Sequence, residues 1–314
     1  MNAFFWNSQC ITLKDKGEPY GYIALIGSQQ TPALGGVRII QDAFNPEGMH
    51  LSLALAGTMY YKARESELPL SGGKAILYIP DLKQKPYFLK RFSNALNKLQ
   101  GQYITAVDVG SDQNDMDLLR RYSRYVTCHS AVGGDPSPYT AKTVLLAVQA
   151  ACEYAYDDVS IDNKHIVIQG VGKVGSQLLK QLREASNSVN ITITDILAEK
   201  LAKEAIKHQI NIVKHTDIYT QSCDIFIASA DAHLVGEHQA KQLNCRIFAA
   251  AANNPFVDVN AEAILQNKGA IILPDYLINS GGLIFCAYQY GLLTDLDNKI
   301  HAVYHNVSKY LAET

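Results

Sequence analysis

Two lysines twelve residues apart, Lys62 and Lys74, each stand beside apolar sequence, and an aspartate, Asp108, closes a later apolar run. The nearly all-apolar Leu51–Ala56 leads through Thr58-Met59-Tyr60-Tyr61 to Lys62. Leu68-Pro69-Leu70-Ser71-Gly72-Gly73 leads to Lys74, and the strand-like Ala75-Ile76-Leu77-Tyr78-Ile79 follows. Burying an ammonium group is costly unless it is paired, so two of them in such settings need an explanation. One reading is that both lysines reach water at the ends of their elements. The other is chemical: one cation holds a substrate carboxylate and depresses the pKa of its neighbour, which then serves as a base near neutral pH.

The elements that must position these groups alternate between strand and helix. Tyr20–Gly27 reads as a strand, and Thr31-Pro32-Ala33-Leu34-Gly35-Gly36 as a loop whose glycines permit close backbone approach. Residues 48 to about 64 carry a helical pattern, Ala75–Ile79 a strand, 86–99 an amphipathic helix opened by Pro86, and Gln102–Val107 a strand ending at Asp108. Gly133-Gly134-Asp135-Pro136-Ser137-Pro138 is the densest cluster of breakers and marks a domain boundary. Beyond it a helix is expected over 140–154 and strands at 166–169, 189–194, 224–228, 246–251 and 270–273. The expected architecture is α/β with two domains. An N-terminal α/β substrate and assembly domain covers residues 1–130, with helices of 285–314 packing back on it. A Rossmann-type, doubly wound nucleotide domain covers 131–284, with a cleft between the two.

Gly170-Val171-Gly172-Lys173-Val174-Gly175 is a GxGxxG, weak as a bare match but correctly framed here. The strand Ile166–Gln169 runs into it, and Val174, Leu178, Leu179 and Leu182 line one face of a following helix. Such glycines give a tight turn and bring backbone N–H groups to a pyrophosphate at the helix N-terminus. Asp195 ends the next strand at the spacing of a ribose-binding acid. A carboxylate there accepts from a ribose 2′-hydroxyl and repels a 2′-phosphate, which favours NAD over NADP. The plainer alternative is a glycine turn with a surface aspartate.

Taken together, these pieces resemble the glutamate, leucine, phenylalanine and valine dehydrogenase family, its leucine/phenylalanine branch most of all. The matching stretches are Pro32–Arg38, Met59–Lys62, Ser71–Lys74, Tyr103–Gly110, Ser137–Ala141, the glycine motif, Ala252–Asn254 and Pro274–Gly282, in the family's order. By that resemblance Lys62 would bind the substrate α-carboxylate, Lys74 would be the low-pKa base that activates water, and Asp108 would shuttle protons to and from the amino group. Met59, Gly35 and Gly36 would lie against the substrate, and Asn279 near its carboxylate and Asp108. Thr140 and Asn254 would lie near the nicotinamide. Gly170, Gly172, Lys173, Val174, Gly175, Asp195 and Ala230 would complete the cofactor site. Leu34, Ala106, Leu283 and Cys286 fall where the family builds its side-chain pocket, although each could equally be ordinary core. Leu34 stands where glutamate-specific relatives carry a lysine. An apolar pocket would leave a buried γ-carboxylate unpaired, so an aliphatic or aromatic amino acid is implied.

The residue chemistry agrees with those roles. An electrophilic imine needs a hydroxide equivalent, which a desolvated lysine can generate from water. Without the lysines, Asp108 could as well be a turn residue at a strand end. Departures from the family pattern are Ser71 for a glycine, Val107 for an acidic residue, and Ser229-Ala230-Asp231-Ala232-His233 near the cofactor. The chain is also somewhat shorter than typical members, which leaves subunit number open beyond an expected homo-oligomer, a dimer or higher.

Bulk properties narrow the alternatives. With 47% apolar and 18% charged residues the chain is globular, and a net charge of −2 gives no footprint for nucleic acid or an anionic membrane. Six scattered cysteines without a CxxC pair suit reduced thiols in a cytoplasm and argue against a disulfide framework or zinc site. The histidines show no metal-ligand spacing, so no metal is expected. No apolar run would span a bilayer, and apolar Met1–Trp6 lacks the basic leader and length of a signal peptide. The expected reaction converts an L-amino acid, NAD⁺ and water into a 2-oxo acid, ammonium and NADH. The rivals are an NAD-linked dehydrogenase of a hydroxy acid or other substrate, which would need no lysine pair, and a non-catalytic nucleotide sensor on the same fold.

Overall fold

The computed structural model describes residues 7–196 and 210–314; apolar Met1–Trp6 lies outside them. The chain divides into two compact units: residues up to Pro136 together with Leu283–Leu296, and Ser137–Gly282 together with Asp297–Thr314.

The first unit is built on a five-stranded mixed sheet. Its strands are β1 (Ser8–Asp15), β2 (Glu18–Ile26), β3 (Ala33–Ile40), β4 (Ser71–Tyr78) and β5 (Tyr103–Val107). They lie in the order β1-β2-β4-β3-β5. Parallel neighbours need crossovers. Helix α1 (Gly48–Glu65) connects β3 to β4, and α2 (Lys85–Lys98), with proline in its first turn, connects β4 to β5. Helix α3 (Gln113–Arg120) opens with a capping box in which Asp112 and Asp115 each accept the other's backbone N–H.

The structure corrects the reading of Thr31–Gly36 as a loop. From Ala33 onward it is β3, flanked by β4 and β5 and largely buried. The glycines serve close packing instead of a turn. A Cβ on Gly35 would stand 1.7 Å from the Gly73 carbonyl oxygen, and one on Gly36 would stand 2.5 Å from that of Val107. Gly35→Ala is therefore expected to destabilise this unit by about 3 kcal/mol, read as a lower urea midpoint. An unchanged midpoint would mean that β3 and β4 do not approach so closely.

The second unit carries a six-stranded parallel sheet. Its strands are β6 (His165–Gln169), β7 (Asn190–Thr194), β8 (Asn211–Ile212), β9 (Ser222–Ala228), β10 (Asn244–Ala250) and β11 (Ile271–Ile272). The order β8-β7-β6-β9-β10-β11 is the 3-2-1-4-5-6 order of a Rossmann domain. The inner strands β6, β7, β9 and β10 each end in four consecutive buried residues, as expected of a sheet covered on both faces. Helix α4 (Ser137–Tyr156) and helix α5 (Lys173–Ala185) pack together, and α5 buries Gly175, Leu178, Leu179 and Leu182. Short helices α6 (Glu237–Gln242), α7 (Val259–Asn267) and α8 (Asp275–Ile278) follow, with Asp258 capping α7 through the Asn260 and Ala261 N–H groups. No described helix is long and apolar enough to cross a membrane.

The C-terminal assignment also needs correction. The sequence places everything after residue 285 with the first unit, but the structure divides that segment. Helix α9 (Gly281–Gln289) lies mostly in the first unit, whereas α10 (Leu296–Glu313) belongs almost wholly to the second. The physical reason is local. Tyr304 of α10 donates to Glu153 of α4, and α10 buries an apolar stripe of Ile300, Val303, Val307 and Leu311.

Candidate active site

Strand parity gathers Lys74 and the expected pocket positions Leu34 and Ala106 in the first unit. Leu34 pairs with Gly72 on one side and Ile104 on the other, Gly36 pairs with Ala106, and Arg38 pairs with Ile76. Alternation then puts residues 34, 36 and 38, with 72 and 74, and with 104 and 106, on one face. A Cβ on Gly72 would run into Ala56 and Tyr60 of α1, which identifies this as the face that α1 covers. Lys74 lies level with Gly36 in the middle strand. A Cβ at Gly36 would meet the Asp108 Cβ at 2.7 Å, so the missing side chain leaves the gap across which Lys74 and Asp108 form an ion pair.

Asp108 has a second cationic partner: Arg38 Nε lies 3.3 Å from the same Oδ2. The turn after β5 fixes the backbone there. The Asp108 N–H donates to Ser111 Oγ at 2.8 Å, and that hydroxyl donates to the Val37 carbonyl at 2.8 Å. Burial lowers the Lys74 pKa below that of an ordinary lysine, against the opposing pull of Asp108, and Arg38 lowers it further. For Asp108, burial acts to raise the pKa, but Lys74 and Arg38 together outweigh it and hold the carboxyl below its usual range. The result is an ionised acceptor touching an amine that gives up its proton unusually readily. Such a pair can take a proton from water and pass it on.

The substrate-side positions fall in the same unit, apart from Asn279. Lys62 is buried on α1, with 6% of its surface exposed. Met59 lies on the same helix, its Cγ 3.5 Å from where a Gly35 Cβ would be. Leu34 and Ala106 are buried on the Lys74 face. Gly35 and Gly36 have their side-chain directions filled by protein atoms, so any substrate contact there runs through their backbone. Leu283 and Cys286 are buried on α9. That helix is fastened beside β5: the Thr127 N–H donates to the Thr105 carbonyl, the Cys128 N–H to Gln289 Oε1, and the Cys128 and Cys286 sulfurs lie 3.1 Å apart.

In the second unit each glycine of the turn has a distinct task. Gly170 adopts φ +97°, and a Cβ there would collide with Ala230. Gly175 brings α5 against β6, because a Cβ would stand 2.2 Å from the Gly170 carbonyl oxygen. Gly172 has nothing within 4 Å of its Cβ direction. It is the N-cap of α5 and offers no capping side chain, so first-turn N–H groups there suit a phosphate. Lys173 and Val174 form that first turn. Asp195 Oδ2 accepts from the Val171 N–H at 2.8 Å, tying the acid to the turn. Turn, close approach, helix packing and acid together fit a dinucleotide.

The neighbouring loops carry the other predicted positions. The Ser229 N–H donates to the Gln169 carbonyl at the end of β6, and the buried Ser229 Oγ has no hydrogen-bond partner among the described residues. Asn254 adopts φ +48°; its N–H donates to Asp275, and its carbonyl accepts from the His233 N–H, which fastens the divergent 229–233 loop. Asn279 Nδ2 donates to the Ala251 and Ala252 carbonyls and to Asn253 Oδ1, while its buried Oδ1 has no hydrogen-bond partner among the described residues. Thr140 lies in the first turn of α4, where Thr143 accepts from the Gly281 N–H. The sequence reading gave no role to Arg38 or Ser111, which the structure places on Asp108.

Comparison with known proteins identifies the family. The profile of the glutamate/leucine/phenylalanine/valine dehydrogenase family matches residues 193–291, and that of the family's dimerisation domain matches residues 10–125. The chain is 33% identical over 304 residues to a leucine dehydrogenase of Bacillus subtilis, covering 94% of this chain and 83% of that one. It is 30% identical over 265 residues to an L-tryptophan dehydrogenase of Nostoc punctiforme, covering 83% and 74%. The crystal structure of L-tryptophan dehydrogenase from Nostoc punctiforme superposes with a TM-score of 0.77 at 28% identity, covering 96% of this chain and 87% of that one. A glutamate dehydrogenase from Thermus thermophilus shares the fold, with a TM-score of 0.76 at 18% identity over 97% and 82% of the chains.

Proposed function

This chain belongs to the glutamate/leucine/phenylalanine/valine dehydrogenase family, and we propose that within it the protein is an NAD-dependent dehydrogenase of an apolar L-amino acid. It is an oxidoreductase acting on a CH–NH2 group with a nicotinamide cofactor, interconverting an amino acid with its 2-oxo acid and ammonium. The observation that carries the reading is the buried Lys74–Asp108 pair on the face that also holds Leu34 and Ala106.

Lys62 holds the substrate carboxylate, and Met59, Leu34, Ala106, Leu283 and Cys286 receive the side chain. A bound nicotinamide would supply the hydride acceptor for the substrate Cα. The neutral Lys74 amine takes a proton from water as that water attacks the imino carbon, and Asp108 passes protons to the departing nitrogen. Gly170, Gly172, Lys173, Val174, Gly175 and Ala230 would hold the cofactor phosphates, and Asp195 would accept from the ribose 2′-hydroxyl. By the family resemblance, Thr140 and Asn254 would orient the nicotinamide, and Asn279 would steady the substrate. A pocket without a cation at Leu34 gives glutamate's second carboxylate no partner. We further propose a homo-oligomer of the cytoplasm.

The test is a panel of Leu, Val, Ile, Phe, Trp and Glu with NAD⁺ or NADP⁺, following reduced-cofactor absorbance. Turnover of one or more apolar substrates with NAD⁺, and little with Glu or NADP⁺, is expected. Reduction of 2-oxo acids without ammonium would instead establish the hydroxy-acid reading.

A further inference from the structure

We infer that Arg38 is a positioning residue that holds Asp108 as a carboxylate while Lys74 passes through its neutral form. The inference rests on the amino acid dehydrogenase reading and concerns how its base is kept ready. Three observations lead to it. Arg38 of β3 continues the register that pairs Ala33–Val37 with Tyr103–Val107, which brings it level with Asp108. Its Nε lies 3.3 Å from Asp108 Oδ2, the same oxygen that Lys74 contacts. And the Arg38 side chain is 27% exposed, against 8% for Lys74, so its charge is partly hydrated at little cost.

Charge counting over these three groups gives the consequence. With Lys74 protonated, the cluster carries two positive charges and one negative, a net of +1; with Lys74 neutral, the net is zero. Without Arg38 the same two states would be zero and −1. The neutral amine would then sit beside a buried carboxylate with no cation, an arrangement strongly disfavoured. A guanidinium keeps its charge throughout the working pH range, so it remains while Lys74 changes state. Arg38 thus favours the form of the pair that can act as a base.

The other groups around Lys74 do not replace it. Opposite Lys74, β2 presents Ala24. Helix α1, over the same face, carries Lys62, Tyr60 and Tyr61; Lys62 is committed to the substrate carboxylate in this reading, and the tyrosines offer no positive charge. Tyr103 points its hydroxyl at the Gly35 and Gly36 carbonyls, and burial keeps that phenol protonated.

The experiment compares wild type with Arg38→Gln, Arg38→Met and Arg38→Lys by two readouts. The first needs no turnover: the Lys74 side chain is titrated by NMR with [ε-13C]lysine, its signal assigned by loss in Lys74→Arg. Both neutral variants are expected to move that titration to higher pH, and Arg38→Lys to keep it near wild type. The second readout is the pH profile of kcat/KM for deamination. It is expected to fall about tenfold near neutral pH in the neutral variants and to recover at high pH. A residue needed only for packing would lower activity equally at every pH. An unmoved or lowered Lys74 titration in Arg38→Gln or in Arg38→Met would overturn the inference. Absence of deamination in wild type would count against the functional reading alone, because the titration is read without it.

Discussion

Lys74→Ala is expected to lower kcat for oxidative deamination by about 10³-fold, the middle of the range for losing a positioned general base. The variant should fold, because Asp108 keeps Arg38 as a partner and no buried charge is stranded. NADH affinity should be unchanged, since Lys74 lies in the first unit and the glycine turn in the second. The pH dependence has a definite sign. In the proposed mechanism deamination uses the neutral amine, and burial lowers the Lys74 pKa from the ordinary 10.5, so the rate in wild type is expected to rise with pH through a midpoint below that value. Amination of the 2-oxo acid uses the protonated amine and declines through the same midpoint, by microscopic reversibility. Steady-state kinetics in both directions would check this, and Lys74→Ala turning over within about tenfold of wild type would remove the lysine from its role.

Gly172→Val should separate cofactor binding from folding. Position 172 has φ −74° and ψ −154°, which valine tolerates, and open space where its Cβ would go. The fold should therefore be kept, with only the small loss of melting temperature that a poorer N-cap residue brings. The added side chain would occupy the approach to the α5 N-terminus, and NADH affinity is expected to fall about 100-fold, roughly 3 kcal/mol. Gly175→Val provides the contrast: its Cβ would meet the Gly170 carbonyl oxygen at 2.2 Å, so that variant should lose stability as well. Isothermal titration with NADH beside thermal unfolding measures both. Wild-type affinity in folded Gly172→Val would show that the dinucleotide does not cross this turn.

The nucleotide half was legible because its logic is local. A strand, three glycines, a helix and an acid at fixed spacing require nearly the same backbone wherever they occur. Lys62, Lys74 and Asp108 were legible for a related reason, as charged residues beside runs that only burial explains. One misreading concealed more than itself. Taking the glycines of Thr31–Gly36 as a loop hid β3, and with it the two-residue alternation from Leu34 through Gly36 to Arg38. Once those residues are placed on a strand in register with Ile104 and Ala106, the pairing of Arg38 with Asp108 follows. The Cys128–Cys286 contact had no comparable signal, because it joins segments 158 residues apart. It depends on Val126 bridging to Thr105, a pairing that no local pattern encodes. The division of the C-terminal helices was hidden likewise, because the apolar stripe of α10 does not say which unit it will cover.

All of the proposed chemistry rests on burial outweighing the attraction of Asp108 at one amine. The most direct measurement is the titration of the Lys74 ε-carbon in wild-type protein by NMR. The account predicts a midpoint clearly below 10.5, the value of an ordinary lysine. A midpoint at or above 10.5 would make Lys74 and Asp108 a plain salt bridge, and the base would have to be sought elsewhere.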